Sequence, residues 1–300
     1  MLEWLLITLL AVFGIMAWQH RRYLTIRREY AEDSQRAFHS ARAFHLITFF
    51  RVRTGERVID SVHRFVEALG TSGQPQLIYA GQAGFTIAST QLGECAWDGF
   101  ILLQFPSRAR YHREAAPRIN TAREVFADSY LHGMRRDRVA ALMIPQKLLK
   151  LRLLDVLRGR WRPPSLEPSR AFAAAPEFDV WRRRISRLHA LHVLNDRGLV
   201  VINLVKRNSP AQPFGDVALT RAMLSLMAAR GHGPLHLGHA VALEGNARFD
   251  DVLVIHYPSP DYYAELLRSQ LFQSALKNGQ AADTMLVASV PVTALLGQSR

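Results

Sequence analysis

With one cysteine in 300 residues, Cys95, the chain has no partner for an intramolecular disulfide and no thiolate set for zinc or an iron–sulfur cluster. Such usage fits a reducing compartment, and Cys95 has no neighbouring base pattern that would make it a reactive thiol. The sequence also lacks a glycine-rich phosphate loop, a His-Glu-x-x-His and a Gly-x-Ser-x-Gly, so the short motifs of nucleotide-binding loops, zinc peptidases and α/β-hydrolases are missing. Acids are scarce, 25 against 38 Lys and Arg, for a net charge of +13. The shortage is local. Residues 20–45 hold six Arg against three acids and residues 146–197 twelve Lys and Arg against five, whereas 46–145 (twelve against nine) and 198–292 (seven against seven) are nearly balanced. A nucleic-acid-binding fold would carry its basic stripe on the folded unit. Here the charge lies in the connecting segments, so nucleic acid is not an expected partner.

What is present is a globular composition, 49% hydrophobic and 21% charged, with length enough for two domains. Residues 2–18 are apolar apart from Glu3 and Thr8, with Trp4 and Trp18 at the ends. An acid in place of a positive start argues against a cleaved signal peptide. The expectation is a transmembrane anchor over 1–19, near the lower limit of spanning length. Arg21 and Arg22 follow, placing the remainder on the cytoplasmic side of an inner membrane by the positive-inside rule. Residues 20–45, without Pro or Gly, read as a basic juxtamembrane helix.

The rest is organised by an echo. Trp97-Asp98-Gly99-Phe100 to Phe105-Pro106-Ser107 returns as Phe249-Asp250-Asp251-Val252 to Tyr257-Pro258-Ser259. Each is an apolar run of strand length stopped by proline. Around the first, Leu46–Val52, Glu56–Leu69, Leu77–Ile87, Trp97–Phe105, Arg108–Leu131 and Val139–Ile144 read as β-α-β-β-α-β. Around the second, Leu199–Lys206, Asp216–Arg230, Leu235–Leu243, Phe249–Tyr257, Pro260–Lys277 and Met285–Val290 repeat that order. Gly81-Gln82-Ala83 matches Gly238-His239-Ala240. Gly133, Asp137 and Pro145 match Gly279, Asp283 and Pro291 at one constant offset, with the first copy longer in its second helix. The units thus span 46–145 and 198–292, with a tail at 293–300.

Between them, 146–197 is a basic connector. Leu149, Leu153, Val156, Leu157 and Trp161 lie on one helical face and an arginine cluster, Arg182-Arg183-Arg184, follows. It reads either as an amphipathic segment on anionic lipid or as a connector packed on the domains. The membrane-contacting set is therefore Trp4, Trp18, Arg21, Arg22, Leu149, Leu153 and Trp161.

On Asn203-Leu204-Val205-Lys206, Gly238, Phe249-Asp250, Tyr257-Pro258-Ser259 and Met285-Leu286-Val287-Ala288, and more loosely Trp97-Asp98 and Phe105-Pro106-Ser107-Arg108, the units resemble a small uncharacterised ferredoxin-like family of the dimeric α+β barrel superfamily. The resemblance implies an α+β fold in which two four-stranded sheets pack face to face, here as a pseudo-dimer within one chain. Sibling families include cofactor-free monooxygenases, lactone isomerases and haem-using peroxidases or dismutases, so fold does not carry function.

Strand alternation puts Asp98, Phe100, Leu102 and Gln104 on one face and Asp250, Val252, Val254 and His256 on its counterpart. Gln104 and His256 become equivalent positions, as do Gln82 and His239. A cavity walled by His256, His239, Asp250, Asn203 and Gln104 is the expected ligand site; no residue is identified as catalytic. His232, His236 and His239 have the wrong spacing for one metal on a strand, and no metal or cofactor is expected. Two functions remain. One is a membrane-anchored accessory or scaffold protein that docks a membrane protein complex or binds a small ligand, the non-enzymatic reading being favoured. The other is a cofactor-poor isomerase or monooxygenase acting on an apolar substrate between the sheets. A cavity between the sheets filled by Phe, Leu and Val would end the reading of an enzyme acting there; an open one where His256 or His239 meets an acid would weaken the scaffold reading.

Overall fold

The structure is a computed structural model describing residues 2–30, 44–70, 75–93, 96–136, 138–159, 165–169, 176–192, 198–209, 224, 226–227, 233–257, 259–278 and 281–292. Its elements are α1 (Leu2–Tyr30), β1 (Phe44–Arg51), α2 (Val58–Leu69), β2 (Gln76–Ile87), β3 (Gly99–Phe105), α3 (residues 108–125), β4 (Asp128–Arg136), α4 (Arg138–Leu157), α5 (Pro176–His192), β5 (Leu199–Arg207), β6 (Gly233–Ala242), β7 (Asp251–Tyr257), α6 (Pro260–Arg268), α7 (Gln270–Asn278) and β8 (Ala281–Pro291). The eight strands close into one barrel in the order β1-β3-β2-β8-β5-β7-β6-β4. Every neighbouring pair is antiparallel. Each half contributes a β4-β1-β3-β2 type sheet, and the seams are β2 with β8 and β6 with β4. The chain has an α+β fold with an eight-stranded barrel built from its own two halves.

Strand alternation sorts each side chain to a face. On β1, Phe44, Leu46 and Phe50 point outward to α2 and α3, where they meet Val62, Phe65 and Ile119. Ile47 and Phe49 point inward with Phe100, Leu102, Tyr130, Met134, Val200, Ile202, Val252, Val254 and Val287. Burying each such side chain stabilises the fold by about 2 kcal/mol. The other half has its own outer core of Val201, Leu253, Ile255, Tyr263 and Leu266.

The echoed motif has the same structural job in both halves. Asp98 N donates to Phe50 O (2.9 Å) and its Oδ2 accepts from Val52 N (2.9 Å); Asp250 N donates to Val205 O and its Oδ2 accepts from Arg207 N (both 2.8 Å). Each aspartate extends the ladder one step beyond the strand. At the other end, Ser107 Oγ accepts from Arg110 N (3.2 Å) and Ser259 Oγ from Tyr262 N (3.1 Å), both with extended backbone. The serine caps the helix that follows. Helix α3 then passes through a wider π turn, Tyr111–Ala115, before Ala116–Ala122. Pro117 accounts for this, since it has no N–H to donate and its ring displaces the preceding carbonyl.

Several sequence expectations change. The last strand of the first half is Asp128–Arg136, and the expected strand 139–144 lies inside the helix Arg138–Leu157. A short apolar run cannot be told from a helix segment by pattern alone, and Ala140, Ala141, Leu142 and Met143 are good helix formers. The register between halves shifts with it. Asp128 pairs opposite Arg51 as Asp283 pairs opposite Lys206, and Gly133 opposite Leu46 corresponds to Ala288 opposite Val201. Asp128, not Asp137, is therefore the counterpart of Asp283. The first half is the shorter one here, with 23 positions from Phe105 to Asp128 against 26 from Tyr257 to Asp283. The pairing of Gly81 and Gln82 with Phe100 and Gly99 does match that of Gly238 and His239 with Val252 and Asp251. The expected helix 216–230 falls mostly outside the described residues.

At the N-terminus one helix runs from Leu2 to Tyr30. Among the described residues no helix is long and apolar enough to cross a membrane, which corrects the expected transmembrane anchor. The apolar run of 17 residues reaches only about 25 Å, against a hydrocarbon thickness of about 30 Å. Residues 31–43 of the expected juxtamembrane helix lie outside the described set. The connector packs on the barrel. Trp181, Ile185 and Leu188 of α5 are buried against the second outer core, and Arg182 pairs with Asp261 (2.8 Å). A Cβ on Gly84 of β2 would collide with Ile185, so glycine there lets α5 approach the sheet. Residues 165–169 bridge to Ser269 at the break between α6 and α7. Among the described side chains of α4, Leu148 and Val156 are buried, Leu149 and Leu153 are half-buried and Leu157 is exposed. Of the expected face Val156 is thus buried, joined by Leu148 from outside it, and Trp161 lies outside the described residues.

Candidate functional site

The expected site residues divide between the two sides of the wall. Gln104 and His256 point into the barrel, and His256 is buried. Asn203 shares the outward face with Val201 and Val205, and His239 the outward face with Val241. Both were expected beside His256; strand parity places them on the opposite side of the sheet. Asp250 is exposed and serves as the strand extension described above, so it does not converge on His256. Outside, His239 Nδ1 lies 3.9 Å from the buried Asp251, whose carboxylate is bound in bidentate fashion by Arg207 (2.5 and 2.7 Å). That cluster belongs to the second half alone, since its counterparts are Gly99, Gln82 and Val52. His232 lies outside the described residues, and among the described residues no three His, Cys, Asp or Glu side chains gather as a metal site.

The barrel centre is filled. Phe49, Phe100, Leu102, Val252 and Val254 are at most 1% exposed. At both seams a glycine faces inward without room for one added carbon: a Cβ on Gly81 would strike Tyr79 and Ser289, and one on Gly238 the Arg135 carbonyl and Met134. A haem, the cofactor of some α+β barrels, does not fit this interior.

Polar groups cluster instead on the inner face of the first half. His45 donates from Nε2 to Gln104 Oε1 (3.1 Å). Tyr79 OH donates to Ser289 Oγ (2.8 Å), which donates to Val200 O (3.1 Å). Tyr130 OH meets His132 Nδ1 at 3.1 Å. Burial holds both histidines neutral at ordinary pH. His45 is lowered to about 4 by desolvation against the favourable Gln104 bond, and His132 to about 4 by desolvation. Burial raises the Tyr130 phenol to about 12.

Toward one end, the rings form a continuous series across the two halves. Trp97 stacks on Tyr130 (6.5 Å), Tyr130 leans on His132 (5.8 Å), and His132 meets the edge of Phe249 (5.8 Å, 84°). Two groups here, Trp97 Nε1 and His132 Nε2, are buried without a hydrogen-bond partner among the described residues. Such orphans are rare because each costs about 1–3 kcal/mol.

The loops at this end close over the rings by reaching into the opposite half. From the β2–β3 loop, Ser89 Oγ donates to Asp283 Oδ2 (2.5 Å), and Thr90 N, Gln91 N and Gln91 Nε2 donate to the same carboxylate (3.1 to 3.3 Å). From the β6–β7 loop, Glu244 accepts from Leu131 N (2.8 Å) and pairs with Arg123. The loops clasp each other: Gln91 Nε2 donates to Arg248 O (3.1 Å) and Arg248 N to Gln91 Oε1 (2.9 Å). Desolvation would raise Asp283, but the Ser89, Gln91 and Thr90 donors outweigh it and hold the carboxyl near 2.

Sequence reading missed His132, Tyr130 and His45. The signal was in the period-two text Tyr130-Leu131-His132-Gly133-Met134, which had been assigned in part to a helix.

No protein-family model matches the chain, and no curated protein matches it in sequence. Among solved structures it is similar to a chlorite dismutase from Candidatus Nitrospira defluvii, an R173A mutant (11% identity, 87% of this chain and 95% of that one, TM-score 0.41). It is also similar to two provisionally named monooxygenases, from Lactobacillus acidophilus NCFM (8%, 83% and 94%, 0.40) and from Fusobacterium nucleatum (11%, 84% and 93%, 0.39). Likenesses this distant say nothing about what this chain does.

Proposed function

We propose that the chain takes up one small, largely apolar molecule at the loop-covered end of the barrel and holds it against Trp97 and His132. The observation that carries this reading is the pair of orphaned groups in an aromatic surround, an indole N–H and an imidazole nitrogen that one oxygen-bearing ligand would satisfy. The filled centre supports placing the ligand at this end rather than midway along the barrel. A second reading, favoured by Tyr130 on the far nitrogen of neutral His132, is that the site also acts on its ligand as a cofactor-independent isomerase or monooxygenase. There the Tyr130 hydroxyl orients the ring and His132 Nε2 accepts the proton. A base with a pKa near 4 is weak at neutral pH, which ranks holding above turnover. Docking of a membrane protein complex draws no support from the described residues.

The test is native mass spectrometry and solvent extraction of protein purified from its own cells, beside His132→Phe and Trp97→Phe. A bound molecule reduced in both variants is expected. Ligand-free wild type, together with a more stable His132→Phe, would mean the orphans are packing defects and end the proposal. Incubating the extracted molecule with fresh protein in air separates the readings: return unchanged favours holding, and a shifted double bond or added oxygen favours turnover.

A further inference from the structure

The most anomalous surface of the molecule is the first half of α1, where Trp4 (74% exposed), Leu6, Ile7, Leu9, Leu10, Phe13, Ile15 and Trp18 (57%) all stand in solvent. Among the described residues outside this helix the exposed large hydrophobics are Ile87, Leu157 and Val180. Exposed apolar area on this scale marks an interaction surface. Its distribution identifies the partner. At about 100° per residue, these eight side chains point to every side of the helix, with no gap wider than about a third of a turn. A groove on a protein, or a second copy of the helix in a coiled coil, covers one stripe and leaves the rest wet. Hydrocarbon covers a helix all round.

The far end of the run agrees with that partner. Trp18 closes the run on its C-terminal side, as an amphipathic ring does at a lipid interface. Arg21 is exposed directly after it, and Arg22, Arg27 and Arg28 follow in sequence, a basic block suited to anionic headgroups. We infer that α1 embeds its apolar half in a lipid bilayer without needing to cross it, holding the barrel at the membrane surface through Trp18 and the arginines that follow. This inference is independent of the ligand site.

The experiment is flotation of the full-length protein with vesicles of phosphatidylcholine, with and without phosphatidylglycerol, beside the triple variant Leu6→Glu, Leu10→Glu, Phe13→Glu. These side chains are exposed, so the variant should keep the wild-type melting temperature. The wild type should float with both vesicles and bind more tightly to the anionic ones. The variant should lose more than about a hundredfold in affinity, since three buried apolar contacts become three buried charges. Equal flotation of variant and wild type would overturn the inference. So would a wild type that ignores both vesicles and sediments as a defined oligomer dissociated by the triple substitution, because a second copy would then be the cover.

Discussion

The buried histidines make the barrel acid-labile in a window that can be calculated. His45 and His132 titrate near 4 in the folded protein and near the ordinary 6.5 when unfolded. Above about 6.5 both states are neutral and the full stability is present. As pH falls from about 6.5 to about 4 the unfolded chain takes up protons that the folded chain refuses, so stability falls. Each histidine contributes about 3 kcal/mol over that interval, and the pair about 6, against a typical total of about 5–15 kcal/mol. A fold at the lower end of that range would reach its unfolding threshold by about pH 4.

The assay is urea unfolding followed by far-ultraviolet circular dichroism at a series of pH values from neutral to about 4.5. His132→Phe removes one of the two titrations, a nitrogen without a partner among the described residues, and little packing volume. It should unfold at higher urea than the wild type at low pH, and it should cut the loss of stability between neutral and acid pH by roughly half. If the variant loses as much stability as the wild type over that interval, His132 is not held neutral by burial. The orphaned nitrogen would then have to be reached by water.

Asp283 titrates in a separate, lower window. Its folded carboxyl sits near 2, below its ordinary 3.8, so its latch is intact above about 4 and is lost as pH falls toward about 2. Asp283→Asn should cost about 1–3 kcal/mol and speed amide exchange at Thr90 and Gln91 before any strand of the barrel, as hydrogen-exchange mass spectrometry would show. Gly84→Val should push α5 off the sheet at Ile185, lower the melting temperature and change the fluorescence of Trp181. Ser107→Ala and Ser259→Ala, removing equivalent caps, should each cost about 1 kcal/mol in thermal unfolding; a large inequality would mean that the two helix starts are not doing the same job.

The echo between the halves was readable because it rests on local chemistry. An aspartate that extends a ladder, an apolar run and a capping serine sit at fixed spacing, and each leaves the same mark in both copies. The seam glycines were readable too, as Gly81 and Gly238. The last strand of the first half was not. Tyr130, His132 and Met134 alternate correctly, but they follow helical text without a break, and Ala140 to Met143 offered an apolar run of the right length for a strand. Once that strand is misplaced, its inner face disappears, and with it the polar cluster. The outward turn of His239 and Asn203 follows from parity, which the text supplies only when the strand and the direction of the barrel are both known.

The two halves have diverged in opposite senses on their inner and outer faces. Register pairs His45 with Val200, His132 with Val287, Tyr130 with Met285 and Gln104 with His256. On the inner face the first half is polar and aromatic where the second is mostly aliphatic. On the outer face the second half carries Arg207, Asp251 and His239 where the first has Val52, Gly99 and Gln82. Buried polar groups cost stability wherever they are incompletely paired, so an unspecialised barrel would be expected to keep the aliphatic version in both halves. The first half is therefore the one whose interior gives up stability for polarity, while of the second half's histidines His256 faces the interior and His239 the outside. A cycle that exchanges His132→Val with Val287→His would separate the alternatives. If only the surroundings of Trp97 and Phe249 matter, polarity at either position should serve. If the Tyr130–His132 pair is the functional unit, only the native side should retain the bound molecule.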